Sequence, residues 1–405
     1  MQLTQIRNSL LSLFVLAFFF FPHIQTLIVS ICFVLVLFDK RFYSSFRRLN
    51  NNRLTISLVL YFLIIAWSLI YTNNMESGLR SIETKFSFFV FPFFLPFIFS
   101  DKDLANKTMK IFWIAGMAYI IVSLADATIS FLSNHSVSSF FYSELGVGFL
   151  KEGSFIHPTY ASFFYNILFA YLALQWIQNS LKGKHKWLVL LSLVFILIFI
   201  FMLSSKFGVL ALIINILLLL WNYVKKTNQV MRAAVVLVLF SILSVIIVSQ
   251  SPLKKRFESA YSAMKTSTHH PSSTQTRLDV WSVTSSIISE NPILGVGAGD
   301  IRDELISKYQ ENNFELYVER KYDSHQEFLQ TFASLGLPGI VVLLIVFLLL
   351  WKRSVASKNY LLFIFTTLFF VFGMVESMLE RQAGVVFFVF FSLLLYSFNP
   401  ISKKI

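Results

Sequence analysis

The chain is organised around one polar interval, which reads TRLDVWSVTSSIISENPILGVGAGD over residues 276–300 and YDSHQEFLQTFASLGLPG over residues 322–339. On both sides of it, long apolar runs follow one another with short polar connections. An arginine, Arg277, stands near the start of the interval, and a histidine, His325, stands near its end. Because residues able to do chemistry are concentrated here, we expect the functional site in this interval.

Composition predicts a membrane protein. Residues of the AVILMFWYC set make up 56% of the chain and charged residues only 14%, whereas about a quarter of a soluble domain is charged. A helix needs about 20 mostly apolar residues to cross a bilayer, and many runs qualify. The sequence therefore predicts an all-α polytopic membrane protein with about twelve transmembrane helices. The predicted spans are residues 9–21, 23–38, 54–71, 84–99, 111–131, 159–177, 187–203, 207–222, 233–249, 335–351, 360–375 and 383–398.

Lysine and arginine predict the orientation of these spans. They cluster in alternate connections, at residues 40–53, 102–110, 182–186, 225–232, 352–358 and 403–404. Cytoplasmic loops carry this excess of positive charge, so we expect both termini to be cytoplasmic. The net charge of +13 is then mostly a topological signal that suits anionic lipid, and no basic patch with interleaved aromatics indicates nucleic acid. The single cysteine, Cys32, excludes an internal disulfide and a cysteine metal site.

The domain organisation follows from this topology. No internal repeat or low-complexity tract divides the chain. We therefore predict one integral membrane domain over residues 1–405. Residues 250–334 form a large extracytoplasmic loop between spans nine and ten, and this loop carries the binding or catalytic residues.

Arg277 opens an amphipathic segment with Trp281 one turn later on the same face. This helix could lie on the bilayer surface with its apolar face down and Trp281 at headgroup level. Arg277 then has two interpretations. Its guanidinium could reach along the apolar surface to water, or it could bind phosphate, whose oxygens match the guanidinium fork.

His325 is the sharpest single candidate. Ser324 and Glu327 fit a capping box in which Ser324 is the N-cap and His325 stands in the first helical turn. The positive end of the helix dipole favours the neutral ring that a general base requires. The alternative is an ordinary exposed histidine near a helix start. The other histidines show no ligand spacing with carboxylates, so a metal site is not expected.

Other candidates are cations at predicted outer ends of spans. Lys206 lies in a tight turn between spans seven and eight, where it could snorkel or bind a lipid-linked phosphate. Arg80 and Lys85, near the predicted outer start of span four, have the same two interpretations. The sequence GVGAGD at residues 295–300 suggests a nucleotide loop only superficially, because no strand precedes it and no GxxxxGK[ST] is present. A flexible turn between two helices is the expected structure.

These motifs together resemble the O-antigen ligase and polymerase superfamily. The resemblance rests on Arg277-x-x-x-Trp281, on the Asn291-Pro292-Ile293-Leu294-Gly295-Val296-Gly297 run, and on His325-x-x-x-Leu329 followed by Leu335-Gly336 and Gly339. The predicted topology extends it across the chain, and O-antigen ligase is the most similar member. Two residues depart from the family pattern: Lys206 stands where the family has arginine, and Gln326 stands where it usually has asparagine.

The resemblance implies a GT-C-like, metal-independent inverting glycosyltransferase of the bacterial inner membrane that needs no cofactor. It would transfer a glycan from undecaprenyl diphosphate to lipid A-core, or to another saccharide acceptor, on the periplasmic face. His325 would be the base for the acceptor hydroxyl, and Arg277 would contact the donor diphosphate. Lys206 and Arg80 would assist with the diphosphate, while Trp281, Ser324 and Glu327 would support the site.

Two alternatives stay open at this point. Within the same superfamily, the chain could be a polymerase of a surface polysaccharide or a protein O-oligosaccharyltransferase. From another class, it could be a secondary transporter. Transporters usually carry ionisable residues within their spans and broken helices repeated in two halves. Here charges within the predicted spans are rare and polar residues concentrate in the loop, which disfavours transport.

Overall fold

The computed structural model describes residues 2–21, 24–38, 42, 52–135, 137–141, 157–178, 183–227 and 273–398, and in these ranges it contains helices and no strand. The first nine helices are α1 (Gln2–Phe20), α2 (Gln25–Leu37), α3 (Arg53–Ser68), α4 (Met75–Lys85), α5 (Ser87–Ile98), α6 (Lys102–Asn134), α7 (Pro158–Ile177), α8 (Lys184–Met202) and α9 (Lys206–Thr227). The remaining helices are α10 (Ser273–Glu290), α11 (Ile301–Glu311), α12 (Glu315–Arg320), α13 (Glu327–Ala356), α14 (Tyr360–Gly373) and α15 (Gln382–Ser397). A short 3₁₀ turn, Met378–Glu380, lies between α14 and α15.

The all-helical, polytopic membrane class is confirmed. Six stretches of the described residues are helical, long and apolar enough to cross a membrane: Met75–Ile98, Lys102–Ser133, Pro158–Ile177, Lys184–Met202, Lys206–Lys225 and Glu327–Ala356. Shorter apolar helices stand at the other predicted spans within the described ranges. The predicted ninth span, residues 233–249, lies outside the described residues. The count of twelve therefore stays a prediction.

Phenylalanine builds the centre of the helix bundle. The chain contains 47 of them, and helices α7, α14 and α15 pack through stacked and edge-on rings. Phe164 stacks on Phe387 with ring centroids 3.9 Å apart, and Phe369 meets Phe388 at 4.3 Å. Lipid tails are as apolar as the side chains, so helices in a bilayer associate by close packing rather than by the hydrophobic effect. Interlocking rings supply that packing, with about 0.5–1.5 kcal/mol per aromatic pair.

Helices α10, α11 and α12 form a cap with a small core of its own. Val280 and Ile287 of α10 are buried together with Leu305, Tyr309 and Tyr317 of the next two helices. The predicted amphipathic helix is therefore present, but the prediction that it lies on the bilayer with its apolar face down is wrong. That face packs on α11, α12 and the start of α13, because these elements offer it apolar side chains.

The glycine run docks into a break in α13. Gly336 has φ 62° and ψ −161°, and Pro338 follows it, so the helical hydrogen-bond ladder is interrupted. The Val296 N–H donates to the Ala333 carbonyl at 2.9 Å, and the Gly297 N–H donates to the Ser334 carbonyl at 2.9 Å. In return the Leu337 N–H donates to the Ile293 carbonyl at 3.1 Å.

These exchanged bonds explain why glycines stand at this turn. A Cβ on Gly295 would lie 2.6 Å from the Gly336 nitrogen, closer than any side chain permits. The predicted turn between two helices is therefore present. It is pinned by hydrogen bonds on both sides rather than free, and it fixes α10 relative to α13.

Candidate active site

A cavity of about 360 Å³ lies at the end of the bundle where α7 and α9 begin. Five separate stretches of chain line it, namely the start of α7, the turn before α9, α10, the loop before α13 and the turn between α14 and α15. Three predicted site residues, Arg277, His325 and Lys206, all line this cavity. The other lining residues are His157, Pro158, Thr159, Tyr160, Ser205, Phe207, Glu376 and Arg381.

Arg277 is a largely buried cation held by the turn after α14. Its Nε donates to the Val375 carbonyl at 3.2 Å, and its Nη2 lies 3.5 Å from Oε2 of Glu376. The guanidinium carbon sits 4.8 Å above the ring of Phe207. Burial lowers the pKa of Arg277, and Glu376 opposes that shift. Arginine stays protonated in proteins, so the cavity contains a fixed positive charge whose fork can turn to an anion.

Lys206 is placed by a close contact between α7 and α9. The predicted tight turn is confirmed, since α8 ends at Met202 and α9 begins at Lys206. Ser205 caps α9 by accepting the Gly208 N–H at 3.1 Å. Asn166 of α7 donates to the Gly208 carbonyl at 3.1 Å, and a side chain at Gly208 would collide with Ser162. This close approach puts Lys206 beside the start of α7, on the same cavity as Arg277.

The backbone at His325 adopts a left-handed conformation. Its φ is 45°, a value that is uncommon for residues other than glycine and that occurs often at functional sites. The His325 N–H donates to Oδ1 of Asp323 at 2.9 Å. Asp323 also accepts from the Ser377 hydroxyl at 3.4 Å, and Ser377 accepts the Gln326 N–H at 3.1 Å. The turn after α14 therefore clamps the loop that carries His325.

One nitrogen of the His325 ring, Nδ1, faces two carboxylates. It lies 3.5 Å from Oδ1 of Asp323 and 3.8 Å from Oε1 of Glu376. Within the described part of the chain, Nδ1 is buried without a hydrogen-bond partner. The ring of Tyr322 packs against the imidazole with centroids 5.2 Å apart. With Nδ1 turned to the carboxylates, Nε2 is the nitrogen left for a ligand.

The two carboxylates differ in their electrostatic environment. Burial raises the pKa of Asp323, and the negative charges of Glu376 and Glu380 raise it further against the opposing effect of His325. Burial would also raise the pKa of Glu376, but His325 and Arg277 outweigh it and the net shift is downward. The site therefore favours the ionised form of Glu376, which lies between Arg277 and His325.

The predicted capping box is wrong. The N-cap of α13 is Gln326, whose side chain accepts the Leu329 N–H, so His325 precedes the helix rather than standing in its first turn. Ser324 is buried, and its hydroxyl bonds Gln330 at 2.5 Å and Thr284 at 3.2 Å. These partners lie on α13 and α10, so Ser324 joins the cap to the bundle directly behind His325.

Glu327 also differs from its predicted capping role. It is buried, and its Oε2 accepts the Leu379 N–H at 2.7 Å, while Oε1 accepts from Thr331 at 3.3 Å. Glu327 therefore pins the 3₁₀ turn to the start of α13. That turn precedes Arg381 and follows Glu376, so Glu327 supports the cavity from behind.

Two predicted residues stand apart from this cavity. Arg80 is exposed, pairs with Glu76 at 2.5 Å and lines a neighbouring cavity, because α4 lies on the other side of the His325 loop. The structure thus places Arg80 in a different cavity from Arg277 and Lys206, and its contact with the diphosphate stays a prediction. Trp281 is half-buried one turn after Arg277, and it does not line the cavity.

Sequence reasoning did not select four residues that line this cavity, Glu376, Arg381, His157 and Tyr160, nor Asp323 beside His325. A signal existed for two of them, because Glu376 and Arg381 are charges in a short connection between two apolar runs. The Tyr160 hydroxyl is buried in the described structure without a hydrogen-bond partner, and it lines the cavity together with His157. Only the fold shows that these positions meet the loop containing His325.

Comparison with known families supports the resemblance. Residues 191–344 match the family model described as O-Antigen ligase. The matched stretch begins within α8 and ends within α13, and it contains Lys206, Arg277 and His325. It supports the O-antigen ligase superfamily and, at the level of reaction class, a glycosyltransferase of ligase or polymerase type. No curated protein matches the chain.

Proposed function

We propose, from the O-antigen ligase domain at residues 191–344, that this protein transfers a glycan from undecaprenyl diphosphate to lipid A-core. The transfer takes place on the periplasmic face of the bacterial inner membrane, with both termini in the cytoplasm. Residues 250–334 are the catalytic loop of a single membrane domain over residues 1–405. The observation that carries the proposal is that His325 shares one cavity with Arg277 and Lys206.

The cavity combines the groups that such a transfer needs. The donor diphosphate binds Arg277 through its fork and Lys206 as a point charge. Phe207 and Pro158 give the same cavity an apolar side, which suits the first part of a polyprenyl chain. The tail leaves sideways between helices into the bilayer, so the lipid carrier does not have to be extracted from the membrane.

The reaction is an inverting displacement without a metal. The acceptor hydroxyl attacks the anomeric carbon of the donor sugar, and its proton passes to Nε2 of His325. The bond between the anomeric carbon and the diphosphate oxygen breaks, and its electron pair leaves with undecaprenyl diphosphate. Arg277 and Lys206 stabilise the negative charge that gathers there.

Asp323 and Glu376 complete the base. Their oxygens lie 3.5 Å and 3.8 Å from Nδ1 of His325. They orient the ring with Nε2 towards the acceptor and stabilise the imidazolium that forms, as a carboxylate does for histidine in other general-base sites. The diphosphate competes with Glu376 for Arg277. Once Arg277 binds the diphosphate, the charge of Glu376 is directed at His325.

The test is a His325→Ala strain with His135→Ala as the matched control. His135 is an exposed histidine that does not line the cavity. We expect His325→Ala to abolish glycan transfer while membrane insertion and expression match the control. Full-length surface polysaccharide in the His325→Ala strain would refute the catalytic role of His325.

A gene deletion separates ligase from polymerase. If lipopolysaccharide on a gel loses every capped lipid A-core band while long chains remain on the carrier, the protein is the ligase. Survival of a single-repeat cap would identify a polymerase and overturn the ligase assignment. Unchanged lipopolysaccharide together with loss of glycan from a secreted protein would identify a protein O-oligosaccharyltransferase.

A further inference from the structure

A second cavity, of about 260 Å³, lies beside the candidate active site. Helices α4 and α11 supply one wall of it. Tyr322, Asp323 and Gln330, on the loop before α13 and on α13 itself, supply another, and Glu380 and Arg381 close it. Nothing in the proposed handling of the donor diphosphate uses this space.

The loop containing His325 separates the two cavities. His325 lines the first cavity and Asp323 lines the second, and their side chains are 3.5 Å apart. Of the residues that the structure describes, Arg381 alone lines both. A ligand in the second cavity therefore lies on the Asp323 side of this loop, and it reaches the first cavity and Nε2 of His325 only past Arg381.

The second cavity has an excess of positive charge. Four cations line it, Arg80, Lys85, Arg302 and Arg381, against two acids. Lys85 is buried and neutralised by Glu380 at 2.6 Å. Arg80 is only in an exposed pair with Glu76, three-quarters exposed on both sides, and such pairs contribute little.

Arg302 and Arg381 add charges that no acid in the described part of the chain neutralises by an ion pair. Both are exposed, and neither has an ion pair among the described residues. Asp323, the other acid of this lining, already accepts hydrogen bonds from the His325 N–H and the Ser377 hydroxyl. An anionic group entering from solvent would thus meet guanidinium forks already in place.

The remaining lining suits a sugar. Ser77, Ser81 and Thr84 present hydroxyls along α4, and Tyr322 and Gln330 offer a ring and an amide. Hydroxyl and amide groups pair with saccharide hydroxyls, and a tyrosine ring can cover the apolar face of a sugar ring. The first cavity differs, since Phe207, Pro158 and Tyr160 give it an apolar side.

We propose that the second cavity binds the acceptor saccharide and that Arg302 and Arg80 bind an anionic group on it, a phosphate or a carboxylate. This inference rests on the proposed transferase function. In an inverting displacement the acceptor hydroxyl approaches the anomeric carbon opposite the leaving diphosphate. Since the diphosphate lies with Arg277 and Lys206, the acceptor hydroxyl enters the first cavity past Arg381, from the second cavity, and meets Nε2 of His325 there.

The test measures acceptor and donor kinetics separately with the purified full-length protein in lipid nanodiscs. The probes are undecaprenyl-diphosphate-linked glycan and lipid A-core isolated from a strain lacking this gene. The variants are Arg302→Ala and the Arg80→Ala/Arg302→Ala double substitution. The matched control is Lys308→Ala, a cation of the same helix α11 that lines neither cavity.

Loss of a charge-assisted hydrogen bond predicts a KM for the acceptor that is roughly tenfold higher in Arg302→Ala and higher again in the double variant. The KM for the donor and kcat should stay at the control values. An unchanged acceptor KM in the double variant would overturn the proposal. So would an increase confined to the donor KM, because the donor glycan would then occupy this cavity.

Chemical treatment of the acceptor identifies the anionic group. Dephosphorylated acceptor and carboxyl-reduced acceptor are each compared with untreated material. Whichever treatment raises the wild-type KM, and no longer affects the double variant, names the group. If neither treatment changes the wild-type KM, recognition of an anion is refuted. Failure of the transferase assignment is separate, since the wild-type protein would then transfer no glycan to the acceptor in this assay.

Discussion

Gly336→Ala should destabilise the protein far more than an alanine at another positive-φ glycine. Gly336 combines φ 62° with ψ −161°, a region that is almost exclusively glycine's and costs other residues of order 1–3 kcal/mol. A methyl group there would also overlap the Ile293 carbonyl and lie 2.6 Å from the Gly295 nitrogen. The turn would have to withdraw from α13.

Withdrawal breaks the three exchanged backbone hydrogen bonds at Ala333, Ser334 and Leu337. Each contributes about 0.5–1.5 kcal/mol. Together with the backbone strain, the free energy of unfolding should fall by about 2.5–7.5 kcal/mol. The same movement shifts α10, which carries Arg277, relative to the loop carrying His325, so transfer activity should fall as well.

Gly183→Ala is the matched control. Gly183 has φ 57° and ψ −140°, yet a Cβ there would meet nothing within 4 Å. Gly183→Ala should therefore lower the free energy of unfolding only by the cost of backbone strain, about 1–3 kcal/mol, and transfer activity should stay unchanged. Denaturant titration of the purified protein in detergent, read by tryptophan fluorescence, compares the two variants. Equal losses of stability in both would refute the claim that the turn is packed into the helix break.

Three further predictions concern the cavity and the elements that hold it in place. Lys206→Arg should lower the KM for the lipid-linked donor by restoring a bidentate fork, and Lys206→Ala should raise that KM. Transfer assays at varied donor concentration would measure both effects, and identical KM values in the two variants would exclude a contact between residue 206 and the diphosphate. Asp300→Ala should lower the melting temperature more than Asp303→Ala, because Asp300 accepts backbone N–H groups of Asn73 and Asn74 at 2.7–3.0 Å whereas Asp303 accepts one side-chain bond. Because the pKa of Glu376 lies below its ordinary 4.5, its stabilising effect is present at neutral pH and is lost as the pH falls below that value. Glu376→Gln should therefore flatten the acid side of the stability–pH curve, and parallel curves would contradict this.

Hydropathy predicted most of the fold because the bilayer imposes a strong constraint. Every backbone polar group within lipid must be bonded internally, so long apolar runs in this chain have little choice but helix. The predicted starts of spans six and eight, at residues 159 and 207, lie one residue from the observed starts of α7 and α9. The burial of α10 was not predictable in the same way, because an amphipathic pattern does not reveal what covers its apolar face.

Local sequence patterns predicted the wrong helix cap where the same side-chain atoms bond residues from other helices. Ser324 has the right spacing for an N-cap, but its hydroxyl is taken by Gln330 and Thr284. Gln326 caps α13 in its place. Arg277 and His325 could be chosen from sequence because each has a local pattern. Glu376, which joins them, stands in a different turn, and its role depends on distances that only the fold defines.

The break at Gly336 also separates two mechanical environments. The part of α13 after the break lies among the membrane-spanning helices, and its tilt must adapt to bilayer thickness. The part before it is tied to the cap through the glycine turn and Ser324. Since the hydrogen-bond ladder is interrupted between them, a change in tilt is not transmitted along a rigid rod to His325. The hydrogen bonds of the glycine turn, which reach both sides of the break, are then the route by which a change in tilt would reach the cap.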